Sequence, residues 1–385
     1  NYLKKHVEAN RMNIGVVGVG VVGGAVYEGL KALKHNFRYL NSKLDNNTQF
    51  LAVVKAFAYG SDACEIANCL QELNVDYFAV AYINEGVALR DAGITKPILI
   101  LHPQSVNFKI LIDYCLEPSL YNAKILNEFI AVASAEKQTD YPVHIKFNTG
   151  LNRLGFWEND VDYIASKLKE TTAIKAKSIF SHLAASEDLD EHEFTLNQIE
   201  SFKSISKNFI DAIGYKPMLH ICNTSGILNY PDAHFDMVRS GIGLYGFGNS
   251  EKENKHLKPI ASLKTVISQI HNIEKGETVG YNRAYKSDAF LKTATLPIGH
   301  ADGIGRQYGN GKGFVIIHGK KAPIVGNVCM DMIMVNVTNI HCKAGDEVIV
   351  FDSKSTAEQL AENVNTISYE IITAISQRVK RVFIK

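Results

Sequence analysis

Lys55 closes the apolar run Phe50-Leu51-Ala52-Val53-Val54, and Tyr59 follows four residues later. An amine at the end of a buried strand is a nucleophile able to form a Schiff base with an aldehyde, because burial disfavours its charged form. Further along, residues 143–147 run into Asn148, Thr149, Gly150 and Arg153; residues 178–181 end at His182; residues 218–222 lead into Asn223, Thr224 and Ser225; and residues 235–239 end in Arg239, followed by Ser240 and Gly241. The small and hydroxyl-bearing members Thr224, Ser225, Ser240 and Gly241 suit a phosphate held by backbone N–H groups. Taken singly, Lys55 reads as a solvated turn residue and His182 as a satisfied structural histidine. Taken together at the ends of successive strands, they ask for a phosphorylated aldehyde, and pyridoxal phosphate (PLP) combines the two requirements.

Such a rim needs a scaffold that brings many strand ends to one face. Apolar segments at 51–54, 77–81, 98–101, 112–116, 143–147, 178–181, 218–222 and 235–239 alternate with amphipathic helical stretches such as 30–40, 63–73, 161–168 and 196–209. Eight strand–helix alternations over about 210 residues predict a closed (β/α)8 barrel, whose chemistry collects at the C-terminal strand ends. After about residue 257 the texture changes to strand-like runs joined by short turns: 262–273, 277–281, 292–297, 313–318, 322–328, 332–337, 347–351 and 379–384, with one helical stretch over 356–377. The expected organisation is an atypical segment at 1–29, a barrel over 30–257, and a mostly β domain over 258–385.

The 385 residues carry 41 Lys+Arg against 40 Asp+Glu, a net charge of +1, and are 46% hydrophobic. That balance excludes disorder and argues against a nucleic-acid binder, which shows a basic excess or stripe. Six scattered cysteines with no C-x-x-C pair support neither a disulfide framework nor a zinc site, so no metal is expected and the compartment is expected to be reducing and cytoplasmic.

Residues 14–26, IGVVGVGVVGGAV, are too short to span a membrane. With Lys4, Lys5 and Arg11 before it the run mimics a secretory signal, and Gly18-x-Gly20-x-x-Gly23 before a helix-like AVYEGLKAL mimics a dinucleotide-binding turn. The second mimic wants an acidic residue at the end of the next strand, where Lys55 stands instead; Asp45 falls in a polar turn. A glycine-rich strand and turn without a ligand is the reading kept.

Five ordered segments resemble the alanine racemase family: AVVKAFAYG at 52–60, KFNTGLNRLGF at 146–156, SHLAA at 181–185, DMVRSGIGLYG at 236–246 and APIVGNVCMDM at 322–332. They spread over both expected domains, and the resemblance covers roughly residues 30 to 385. It implies a homodimeric PLP enzyme that interconverts L- and D-alanine for peptidoglycan. Lys55 carries the cofactor and serves one face of the substrate; Tyr281, in Thr278-Val-Gly-Tyr281, serves the other from the partner subunit's β domain. His182 partners that tyrosine, and Arg239 faces the pyridine nitrogen. Tyr59, Asn223, Thr224, Gly241, Ile242 and Tyr369 correspond to the phosphate-binding neighbourhood. Arg153 corresponds to the residue facing the cofactor's phenolic oxygen and the substrate carboxylate, and the Met330 N–H to the second carboxylate donor. The lysine matching Lys146 carries a carbamate in many relatives.

Three positions depart from the family pattern: Phe57 replaces an Asn, Asn148 an Asp, and His300 a tyrosine of the entry passage. The family's opening strand, which joins the C-terminal domain, is not found in residues 1–29. A PLP carrier on the same barrel has no need of Tyr281 or the β domain. A PLP decarboxylase places an acidic group where Arg239 stands, and a nicotinamide dehydrogenase leaves every strand-end residue after Lys55 unexplained.

Overall fold

The computed structural model describes residues 25–354 and 356–384. Eight parallel strands form one sheet: β2 (Gln49–Val53), β3 (Tyr77–Val80), β4 (Ile98–Ile100), β5 (Glu117–Leu120), β6 (Tyr141–Lys146), β7 (Ile174–Phe180), β8 (Met218–His220) and β9 (Met237–Ser240). From β2 to β8 each pairs with its sequence neighbour, and β9 returns to lie beside β2. Backbone bonds from Asp236 N to Leu219 O (3.0 Å) and Arg239 N to Cys222 O (3.0 Å) bridge β9 to β8 and close the barrel.

Near-continuous burial along β2 to β5 is what strands covered on both sides require. The covering helices earn their places by amphipathic spacing: α1 (Leu30–Asn41) buries Leu33, Asn36, Phe37 and Leu40, a stripe of period 3.6. α2 (Ala63–Glu72) starts at Asp62, whose carboxylate accepts the free N–H groups of Cys64 and Glu65.

The C-terminal domain is a nine-stranded sheet that includes β10 (Ala261–Val266), β11 (Gln269–Ile273), β14 (Leu291–Leu296) and β18 (Glu347–Phe351), and ends at β19 (Lys380–Ile384); the β12–β13 ribbon (Thr278–Val279 with Tyr285–Lys286) stands apart. β1 (Ala25–Gly29) lies between β10, antiparallel, and β19, parallel. The opening strand is therefore present, at residues read from sequence as the start of a helix. The glycine motif at 18–23 lies outside the described residues.

Other boundaries shift for local reasons. The expected strand at 112–116 is the end of the helix Phe108–Asp113 and a turn; the strand is Glu117–Leu120, which a charged residue and a proline disguise. The run 262–273 is two strands, β10 and β11, at distant places in the sheet, and 356–377 holds two short helices, α3 (Ala357–Glu362) and α4 (Ser368–Thr373).

Candidate active site

The turn carrying Lys55 is left-handed. Ala56, Phe57, Ala58 and Tyr59 have φ of 53°, 55°, 51° and 56°, and Gly60 follows at 88°. A left-handed conformation costs non-glycine residues ~1–2 kcal/mol each, so the surroundings must over-determine it. The Glu85 carboxylate accepts the N–H of Ala56 (2.6 Å), Ala81 (2.8 Å) and Tyr82 (3.0 Å), tying the turn to the end of β3. Arg381 donates to Gly60 O at 2.6 Å from the C-terminal domain. A Cβ at Gly60 would stand 1.9 Å from Ile372 O in α4, so only glycine allows the two domains to meet here.

Tyr59 is buried, stacked on Tyr245 with ring centroids 4.5 Å apart, and its ring lies 5.9 Å from that of Tyr369 on α4. Its hydroxyl sits against Gly241, where a Cβ would come within 2.1 Å. Burial raises both phenol pKa values, that of Tyr369 to about 12, so both remain donors at neutral pH. Beside them the short helix Thr224–Asn229 is capped by Asn223, whose side chain accepts the Gly226 N–H (2.8 Å), and a single turn begins at Ile242 just after Gly241. Thr224 Oγ1 lies 3.0 Å from Ser240 Oγ. Phosphate-type donors thus gather from two strand ends and from α4.

Four cations meet at the barrel mouth. Burial and the Arg153 charge lower the Lys55 pKa, against a weaker opposing pull from Glu85. Lys146, at the end of β6, is pushed down to about 8 by burial and then by Arg153, Arg239 and Lys55. Arg239 is buried and lowered to about 10 by burial, still a cation at neutral pH. Its partners are neutral: His220 Nδ1 (2.6 Å), Ser181 O (2.7 Å), His182 Nδ1 (3.1 Å) and Ile221 O (3.1 Å). Burial and these cations push His182 well below its ordinary pKa.

Arg153 rides on a loop closed by bonds from Phe156 N to Lys146 O and from Asn148 N to Phe156 O, both 2.8 Å. Asn148 accepts the N–H of Gly150 and Asn152 and donates its amide to Asn152 Oδ1 at 2.8 Å.

Tyr281 and Met330 line an open recess of about 540 Å³ in the C-terminal domain, with Thr278, Cys329 and Met332, and Lys55 is not among its lining residues. Both are exposed, Tyr281 at 75% and Met330 at 59%. The loop bearing Met330 is braced by bonds from His300 N to Cys329 O (2.9 Å) and Ala301 N to Met330 O (3.0 Å), which places His300 next to it. Sequence reasoning missed Glu85 and His220; a carboxylate five residues after the end of β3 and a histidine within a strand were the available signals.

A closed barrel with a cationic, lysine-bearing mouth and an appended β domain has the frame of a two-domain barrel enzyme. The N-terminal domain model of alanine racemase matches residues 29–248 and the C-terminal domain model residues 260–383. The alanine racemase of Thermodesulfovibrio yellowstonii is 35% identical over 363 residues, 92% of this chain and 96% of that protein. The solved alanine racemase of Clostridium difficile 630 superimposes with a TM-score of 0.89 at 33% identity, covering 95% of this chain and 97% of that one. That of Bacillus anthracis, solved with bound L-Ala-P, gives 0.88 at 28% identity, covering 96% of each. The chain belongs to the alanine racemase family.

Proposed function

We propose that this protein interconverts L- and D-alanine with PLP on Lys55, as a homodimer whose two sites each combine residues of both subunits, and that its product supplies peptidoglycan synthesis. The observation that carries the reading is the charge of the barrel mouth: Lys55, Lys146, Arg153 and Arg239 crowd together, so that burial and the neighbouring cations lower the pKa values of Lys55, Lys146 and His182, and Glu85 opposes this only weakly at Lys55. A pocket so charged fits an anionic group, and the donors around Tyr59, Thr224, Gly241, Ile242 and Tyr369 fit a phosphate. The residues present therefore suit PLP and an amino-acid carboxylate together.

PLP, when bound, supplies an electron-withdrawing ring that acidifies the substrate Cα–H bond. The protein supplies the proton traffic. Lys55, its pKa already lowered, takes or returns a proton on one face. Tyr281 of the partner subunit does so on the other, and its exposure in an isolated chain suits a residue that meets its site across an interface. A phenol with pKa near 10 is a poor base. His182 accepts from Arg239 on Nδ1 and so offers Nε2–H to the Tyr281 oxygen, which favours the phenolate. Arg239 gives the ring nitrogen a donor that keeps its own proton. Arg153 and the Met330 N–H hold the substrate carboxylate.

The test is direct. Purified protein incubated with PLP and L-alanine should bring the two enantiomers to equal amounts, read by a D-amino-acid oxidase assay. An enantiomer left unchanged in the presence of PLP would contradict the reading.

A further inference from the structure

The interior of a β/α barrel is ordinarily filled with branched apolar side chains, yet here a line of polar groups crosses it. Behind Arg239, His220 Nε2 lies 2.9 Å from Ser178 Oγ; Ser178 Oγ lies 2.6 Å from His144 Nδ1; and His144 Nε2 lies 2.7 Å from Glu117 Oε2. Glu117 also accepts from Tyr77 at 3.0 Å and from Lys177 at 3.0 Å. Glu117, His144, Ser178 and His220 are all buried, on strands β5 to β8.

The chemistry of its two ends fixes the direction of every bond. Arg239 can only donate, so His220 accepts on Nδ1 and, being neutral, carries its proton on Nε2. Ser178 therefore accepts from His220. Its own hydrogen has one further bonding partner, His144 Nδ1, and leaving it unmade would orphan a buried donor. His144 then accepts on Nδ1 and donates from Nε2 to Glu117, an obligate acceptor. Burial alone would raise the Glu117 pKa, but the hydrogen bond from His144 and the charge and hydrogen bond of Lys177 pull it down.

We propose that Glu117, His144, Ser178 and His220 form a one-way hydrogen-bond chain that positions Arg239 as a permanent donor at the barrel mouth, with the Glu117 carboxylate as the acceptor that anchors its far end. None of the four touches the substrate; they are positioning residues. The chain guarantees a free lone pair on His220 Nδ1, so Nη1 of Arg239 is held inward and Nη2 is left to Ser181, Ile221 and His182. The hydrogen positions are a property of the barrel alone; their effect on catalysis rests on the role given to Arg239 under the proposed function.

Two measurements on the PLP-loaded enzyme test this. In protein labelled with 15N-histidine, with signals assigned through His144→Gln and His220→Gln variants, both residues should show a protonated Nε2 and an unprotonated Nδ1. A proton on Nδ1 of His220, or two protonated nitrogens on His144, overturns the chain even if racemisation is intact. Ser178→Ala should lower kcat about tenfold, the worth of one buried hydrogen bond, with KM nearly constant, and Ser178→Thr should recover most of the loss. An alanine variant that is only less stable, with kcat unchanged, would reduce the chain to core packing and overturn the positioning role. A protein that never racemises alanine would instead sink the proposed function while leaving the 15N result to stand.

Discussion

Arg239 Nη2 lies 3.1 Å from His182 Nδ1, and because a guanidinium has no lone pair to offer, the imidazole must be the acceptor. His182 is thereby a neutral ring with its one proton on Nε2, and His220, bonded to Nη1 of the same arginine, is likewise neutral. Both are held well below the ordinary histidine pKa, by burial first and by Arg239 next.

Two histidines held in the neutral form, His220 buried and His182 partly so, make stability depend on pH with a definite sign. As pH falls through the unfolded value of about 6.5, the unfolded chain binds protons that the folded one refuses, so folding weakens. We expect the urea midpoint to drop between pH 7.5 and pH 5.5. His182→Gln should show a smaller drop over the same interval; an equal drop would remove His182 from the linkage.

Placing Lys55 and Tyr281 on different subunits makes a mixing prediction. Lys55→Ala and Tyr281→Phe homodimers should each be inactive in at least one direction of the reaction. Unfolded together and refolded at equal amounts, they should recover about a quarter of wild-type activity, because half the dimers are mixed and each mixed dimer has one intact site. No recovery, with dimers shown to exchange, would place both groups in one chain.

Lys146, held at about 8 by burial and three neighbouring cations, has a substantial neutral fraction near pH 7.5. A neutral amine can add carbon dioxide, and the resulting anion would relieve the crowding around Arg153 and Arg239. Enzyme equilibrated with 13C-bicarbonate should show a carbamate resonance that Lys146→Gln removes, and bicarbonate should lower the KM for alanine in the wild type alone.

Gly60→Ala combines a φ of 88° with a Cβ 1.9 Å from Ile372 O. We expect destabilisation by at least ~2 kcal/mol and weaker PLP retention, since the same contact holds α4 and Tyr369 beside Tyr59. Equilibrium unfolding and PLP release rates check both.

What the sequence made legible follows from locality. Lys55, His182 and Arg239 stand at the ends of short apolar runs, and the barrel rule turns that into a shared rim. β1 was invisible because AVYEG is a strand only by virtue of pairing with Ser262 and Val382, which are hundreds of residues away. Glu117 hid for the opposite reason: a carboxylate followed by proline looks like a turn, and only the donors from Tyr77, His144 and Lys177 make a buried strand of it. The period-two pair His144 and Lys146 within β6 was readable as two inward-facing polar groups, and with His220 in β8 was a sequence clue to the chain behind Arg239.

Borohydride reduction of the PLP-loaded protein, followed by peptide mapping, tests whether Lys55 carries the cofactor. Reduction should abolish the visible absorbance and leave a pyridoxyl group fixed irreversibly on Lys55. Label on Lys146 or another lysine, or none at all after PLP has been taken up, would contradict it.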